Sequence, residues 1–129
     1  LVMFETESHT GSPIYHTDVL MYVGTTAIGI CYEVIKPEYR DLVKKRVERF
    51  HDVIEIKKEQ LLNFCGNCLE IPDKDGNLLL AMSTSAFNAY TELQKEKIEK
   101  HFKKIVHTDI STIEKYGGGS ARCMLAELF

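Results

Sequence analysis

No run of apolar residues in this chain approaches the length that spans a bilayer, and its first residues carry no signal-peptide pattern. Nor does one sign of charge dominate. The formal net charge is −3 with 27% charged residues, so no basic field marks a surface for nucleic acid or an anionic membrane. Secretory features are missing, and four cysteines without them read as reduced thiols of a cytoplasmic protein. Metal-finger spacing is missing too. Cys65-Gly66-Asn67-Cys68 is a C-x-x-C, but the later candidates His101, His107 and Cys123 stand at the wrong spacing for a finger. The motif also precedes a strand-like run instead of opening a helix, as a thioredoxin-like pair would. It reads as a structural turn without metal or cofactor, a redox or metal module being the weaker alternative. An initiator methionine is also absent. Leu1-Val2-Met3-Phe4 reads as a short buried strand entered midway, so the 129 residues are expected to begin inside a longer protein.

What the chain does have is three consecutive glycines near its end, in Tyr116-Gly117-Gly118-Gly119-Ser120-Ala121-Arg122-Cys123-Met124. Glycine loses more conformational entropy on ordering than any other residue, so a triplet outside a linker serves a backbone shape that side chains would forbid. Here it would let the main chain pass close to a ligand while presenting Cys123. Cysteine is often no more than a small buried hydrophobe. Arg122 and oriented backbone N–H groups tip the reading of Cys123 toward a reactive thiolate, whereas Cys31, inside an apolar run, is core filler. Far upstream lies Tyr15-His16-Thr17-Asp18. His16 and Asp18 alternate on an extended segment and so face the same way. They could serve as a general acid/base and a carboxylate that binds a cation or orients the ring, or they are simply a polar strand end. A cysteine, a distant histidine and a carboxylate are the parts of a thiol nucleophile with its acid/base partner. His9, His51, His101 and His107 read as solvated, and the charge run 92–104 as a solvated helix face.

The elements follow from pattern. His9-Thr10-Gly11-Ser12-Pro13 is a turn. Asp18–Val23 and Ala27–Tyr32 are apolar strand-like runs with Gly24-Thr25-Thr26 between them, a hairpin. Tyr39, Leu42, Val43, Val47 and Phe50 follow helical spacing after Pro37. Val53–Ile56 is a strand and Glu59–Phe64 a short helix. The order then recurs. Cys68–Ile71 and Leu78–Met82 flank the Asp75-Gly76 turn, and a Ser83/Thr84 cap opens helices over Ala86–Tyr90 and Glu92–Lys103. In the second of these Leu93, Ile98 and Phe102 point inward. Ile105–His107 is a strand, Ile113–Tyr116 a helical turn and Cys123–Leu128 a final strand. Strand, strand, helix, strand, short helix thus occurs twice, at a period of roughly 50–55 residues.

Tyr15-His16-Thr17-Asp18, Asn63-Phe64-Cys65-Gly66-Asn67 and the run from Ile113 through Gly117-Gly118-Gly119-Ser120-Ala121-Arg122-Cys123-Met124 together resemble the guanidine-modifying (amidinotransferase/arginine deiminase) superfamily. Within it the chain is most similar to the amidinotransferase-like hydrolases of citrulline utilisation, and the resemblance covers nearly its whole length. The fold this implies is an α/β pentein, a propeller of five strand-strand-helix-strand units around a central site. Residues 1–129 would be the C-terminal part of one such domain, with units at roughly 15–64 and 65–129 and the N-terminal remainder of the fold as a partner. By resemblance Cys123 is the nucleophile and His16 protonates the departing amine, while Asp18 contacts a substrate nitrogen and Gly118, Gly119 and Ser120 shape the substrate loop. The carboxylate with which family members clamp the guanidinium has no assignable counterpart, so the isolated chain is expected to be inactive. The implied activity is a cysteine-dependent hydrolase or amidinotransferase acting on arginine or a related guanidino or ureido compound through a covalent thioether. No cofactor, nucleic acid or membrane is implied, and a homo-oligomer is left open. The alternative is a non-catalytic pentein binding module of the ribosome anti-association type, which has no need of both Cys123 and His16.

Overall fold

Ala27–Ile30 is apolar at four successive positions and buried at all four, the pattern of a strand covered on both faces. In the computed structural model, which describes residues 1–126, this strand, β2, is the middle of a three-stranded sheet. β1 (Met21–Val23) pairs with it antiparallel across the Gly24-Thr25-Thr26 turn, and β3 (Asp52–Glu55) pairs parallel on its other side. A parallel neighbour needs a crossover, and α1 (Pro37–Val47) supplies it, with Pro37 in its first turn and Lys44, Lys45 and Arg46 in its last, where cations suit the helix dipole. Val43 is buried beneath it, while Leu42 and Phe50, expected on the same face, are exposed: Leu42 stands about 100° around the helix from Val43, and Phe50 lies beyond the helix end at Val47.

The second sheet repeats the first. β4 (Leu69–Pro72) and β5 (Leu78–Ser83) form an antiparallel hairpin, and β6 (Lys104–Thr108) pairs parallel to β5. Even the register recurs: Ala27 pairs with Asp52 and Leu79 with Lys104, at the same sequence separation. The hairpin turn is closed by the Asp73 carboxylate, which accepts N–H bonds from Asp75 and Asn77 at 2.9 and 2.8 Å. Hydrogen bonds from Asn77 and Asp75 hold that carboxyl below its ordinary range. The crossover carries two helices, α2 (Thr84–Ala89) and α3 (Glu92–Glu99), each with its own cap: Ser83 Oγ accepts from Ala86 N–H, and Thr91 Oγ1 from Gln94 N–H. Ile98 and Phe102 are buried as expected. Leu93 is 78% exposed, because five residues before Ile98, at about 3.6 residues per turn, is the far side of the helix.

One core serves both sheets, with Leu20, Ile30, Ile54, Leu80, Met82 and Phe102 among its members. Polar bonds also cross between them. Glu70 accepts from the N–H and hydroxyl of Thr25 at 2.9 and 2.6 Å. Gln60 donates to the Ala89 carbonyl and to Gln94, which in turn donates to the Glu55 carbonyl. His101, expected to be solvated, is mostly buried between Thr26 Oγ1 at 3.0 Å and Asp52 Oδ2 at 3.2 Å. His107 is likewise engaged, stacked on Phe87 with ring centroids 4.0 Å apart.

Two expected strands do not form among the described residues. Leu1–Phe4 has no ladder: Val2 and Phe4 lean on the core, Leu1 and Met3 face solvent, and the nearest pairing is a single bridge between Thr6 and Ile35. At the other end the described part of Cys123–Leu128 begins in a helical turn, α5 (Ala121–Met124), which follows α4 (Ser111–Gly117). Glu127 and Leu128 lie outside the described residues. No helix among the described residues is long and apolar enough to cross a membrane.

Candidate active site

Three stretches distant in sequence meet around one cavity of about 510 Å³. Tyr15–Val19 enters β1, Phe64–Asn67 enters β4, and Gly118–Leu125 follows α4. The first two stretches each lead into the first strand of a sheet, β1 and β4.

His16 and Asp18 are together, by a different geometry from the expected alternation. Thr17–Val19 is a turn of 3₁₀ helix with His16 as its cap. The His16 Nδ1 lies 3.4 Å from both the Asp18 N–H nitrogen and Asp18 Oδ2. While Nδ1 accepts that N–H, the neutral ring carries its proton on Nε2; a protonated ring turns Nδ1 into a donor toward the carboxylate. The side chain of His16 is mostly exposed to the cavity side of the turn's solvent, and Asp18 is more covered.

Cys123 is the exposed one of four free cysteines. The three glycines before it meet three different conditions. Gly118 ends α4 at φ +67°, the left-handed region that suits glycine. At Gly119 a Cβ would lie 3.0 Å from Cys123 Cβ and 3.2 Å from its sulfur, so the missing side chain lets the thiol sit close against the loop. Gly117 meets neither demand, since a Cβ there would make an ordinary 3.5 Å contact with Ile113. Gly118 and Gly119 line the cavity; Ser120 does not. It is fully buried, and its hydroxyl donates to Glu114 Oε1 at 2.6 Å, while the other Glu114 oxygen accepts from Ser85 at 2.8 Å. Ser120 therefore anchors the loop from below.

Two residues of the Asn63–Asn67 motif, given no role of their own by sequence reasoning, matter here. Phe64 lines the cavity at φ 61°, a conformation that costs a bulky residue on the order of 1–3 kcal/mol. Asn67 follows it, 4% exposed, with its amide between Asp18 and Cys123. The remaining cysteines are chemically quiet. Burial pushes the Cys65 thiol up to about 12 and raises Cys68 and Cys31 as well. Among the described residues no group of three His, Cys, Asp or Glu is arranged to hold a metal ion.

Over residues 1–129 the chain matches the family model described as N,N dimethylarginine dimethylhydrolase, eukaryotic. The chain belongs to that family. It is thereby a member of the guanidine-modifying superfamily to which its motifs pointed. Its fold is similar to that of ArgZ, an arginine dihydrolase of the ornithine-ammonia cycle in cyanobacteria. The apo structure aligns at a TM-score of 0.64 and 20% identity, covering 84% of this chain and 15% of that one. The N-terminal domain of ArgZ bound to product gives 0.64 and 20%, covering 84% and 36%. A Cys-to-Ser variant of that domain bound to substrate gives 0.64 and 19%, with the same coverage. This member of the family thus spans little over a third of the ArgZ N-terminal domain, and at such identity the likeness is one of fold. No curated protein matches the chain.

Proposed function

We propose that this chain carries the nucleophile and acid/base side of a hydrolase acting on the guanidino C–N bond of arginine or an N-methylated arginine. One observation carries the reading: Cys123, His16 and Asp18, from segments far apart in sequence, line a single cavity. Its volume of about 510 Å³ suits a small ligand. The substrate class is supported by the name of the family, and the covalent route by an ArgZ variant solved covalently bonded to a reaction intermediate. The two sheets would then be two of the five units of a pentein, with boundaries near residues 15–64 and 65–129.

A guanidinium is a poor electrophile because its charge is delocalised over three nitrogens. The Cys123 thiolate adds to its central carbon, and the bond to the leaving nitrogen breaks with the electron pair going to that nitrogen. His16 supplies the proton that lets it depart as an amine. Water, giving a proton back to His16, then adds to the thioether-bound carbon. The C–S bond breaks, returning the thiolate and releasing a ureido product. Asp18 accepts a hydrogen bond from a substrate nitrogen, the pairing a planar cation favours. The close seat that Gly119 leaves for the thiol favours this reading over a non-catalytic scaffold, which gains nothing from it.

The test is exposure to chloroacetamidine, whose amidinium imitates a guanidinium, followed by peptide mass spectrometry. Alkylation at Cys123 with Cys31, Cys65 and Cys68 spared is the expected result. Labelling spread over the cysteines, or no faster at Cys123 than with neutral chloroacetamide, overturns the proposal.

A further inference from the structure

We infer that Asn67 is the positioning residue of the cavity, holding the Cys123 sulfur in its reactive place and favouring its thiolate. The inference rests on the reading of Cys123 as nucleophile. Asn67 joins all three segments through one side chain. Its Nδ2 donates to the Asp18 carbonyl at 3.1 Å and to Cys123 Sγ at 3.3 Å. Its Oδ1 accepts from the Arg122 N–H at 3.1 Å and the Cys123 N–H at 3.4 Å. Two donors and two acceptors are the full capacity of an amide. The orientation is also settled: flipped, the amide would turn its NH₂ against two N–H groups and its oxygen against a carbonyl. Asn67 thus caps the first N–H groups of α5 while pointing a donor at the sulfur that α5 carries.

The backbone is built to bring it there. Phe64 in the left-handed region reverses the chain, and Asn67 N–H closes that turn on the Phe64 carbonyl at 2.8 Å. A Cβ on Gly66 would lie 2.4 Å from the Val19 carbonyl oxygen, so only a bare backbone lets the turn lie against the segment carrying His16 and Asp18. Asn67 itself is buried, away from competing water. A hydrogen bond to an anion is stronger than one to its neutral form, so this donor favours thiolate over thiol. The other ionisable groups lining the cavity are His16, Asp18, Arg122 and Tyr15, with Glu114 held beneath by Ser85 and Ser120.

Two variants separate anchoring from donation. Asn67→Ala removes both without adding charge; Asn67→Asp keeps the oxygen that caps Arg122 and Cys123 but loses the donor to sulfur. The readout is the pH profile of Cys123 alkylation by neutral iodoacetamide, followed at the Cys123 peptide, beside thermal unfolding. In Asn67→Ala the profile should move to higher pH and the rate at neutral pH fall about tenfold, the scale of one hydrogen bond to a charged group. In Asn67→Asp it should move up at least as far while thermal stability stays nearer to the parent. Where Asn67→Ala does not fold, an Asn67→Asp profile that superposes on the parent still overturns the inference. Folded variants whose profiles superpose on the parent overturn the inference and leave Asn67 a mere cap. Iodoacetamide reports the thiolate whether or not the protein is an enzyme. Failure here is thus distinct from failure of the proposed function, which shows as lost chloroacetamidine selectivity in the parent.

Discussion

Replacing Gly117, Gly118 and Gly119 by alanine one at a time should produce three different phenotypes from three adjacent methyl groups. At Gly117, the last residue of α4, the new Cβ meets only Ile113 at 3.5 Å. Alanine there reduces the freedom of the unfolded chain and should stabilise by about 0.4–1 kcal/mol with no change in reactivity. At Gly118 there is open space, but φ is +67°. Left-handed backbone costs a non-glycine residue about 1–2 kcal/mol, which appears as lost stability with reactivity changed only a few-fold. At Gly119 the contacts of 3.0 and 3.2 Å fall on Cys123 Cβ and Sγ. Ordinary contacts begin near about 3.4 Å, so the cysteine must retreat by a few tenths of an ångström. The short α5 turn yields easily, so stability should drop by less than about 1 kcal/mol. Displacing the reacting atom should nevertheless slow alkylation by chloroacetamidine about tenfold to a hundredfold. The two assays, urea unfolding and alkylation rate, must therefore rank the three variants differently. A Gly119→Ala protein that reacts at the parent rate refutes the assignment of Gly119 as the residue that lets the sulfur sit close.

Other outcomes follow from the same geometry. In the full-length protein His16→Ala should lower turnover of a guanidino substrate by a factor on the order of 10²–10⁴, the range for a positioned acid/base, and a loss under about tenfold leaves His16 without that role. Glu114→Ala strands the buried hydroxyl of Ser120 and the half-buried one of Ser85, and should cost about 1–3 kcal/mol in urea unfolding; an unchanged midpoint contradicts the anchoring role. Stability should fall in alkali. The Cys65 thiol rises from 9.0 to about 12 through burial, so the fold favours its neutral form. That contribution is whole below about pH 9 and is lost as pH climbs toward about 12, with buried Cys68, Tyr22 and Tyr90 shifted in the same direction. The urea midpoint should decline from about pH 8 to about pH 10, less steeply in a Cys65→Ala, Cys68→Ala variant; a flat profile speaks against the buried thiols.

Patterns that depend on neighbouring residues were legible in the sequence. The paired apolar runs 18–23 and 27–32 and the Asp-Gly turn at 75–76 led to the hairpins, and the recurrence of element order corresponds to two sheets with one register. His16 and Asp18 were legible as a pair, though not as a capped turn, because the His16 ring accepts from the N–H of Asp18 two residues ahead, a bond that strand periodicity does not anticipate. Asn67 was visible only as a member of the Asn63–Asn67 turn motif. Its function depends on Asp18, Arg122 and Cys123 arriving from both directions in the chain, which no local window contains. Ser120 was legible as part of the loop but not in its direction: its place among the glycines suggested the cavity, and a buried Glu114 six residues earlier turns its hydroxyl inward. His101 and Leu93 show the same division, one drawn in by Thr26 and Asp52 from the other sheet and one left out by helix phase.

The central claim is a covalent bond between Cys123 and a guanidinium carbon. Its most direct measurement is the intact mass of the full-length protein after rapid acid quench from arginine and from N,N-dimethylarginine, with the modified peptide sequenced. The account predicts an adduct of one amidino-type group on Cys123, absent from Cys123→Ala and longer-lived in variants that slow the second step. No adduct with either compound, or an adduct on any other residue, contradicts it.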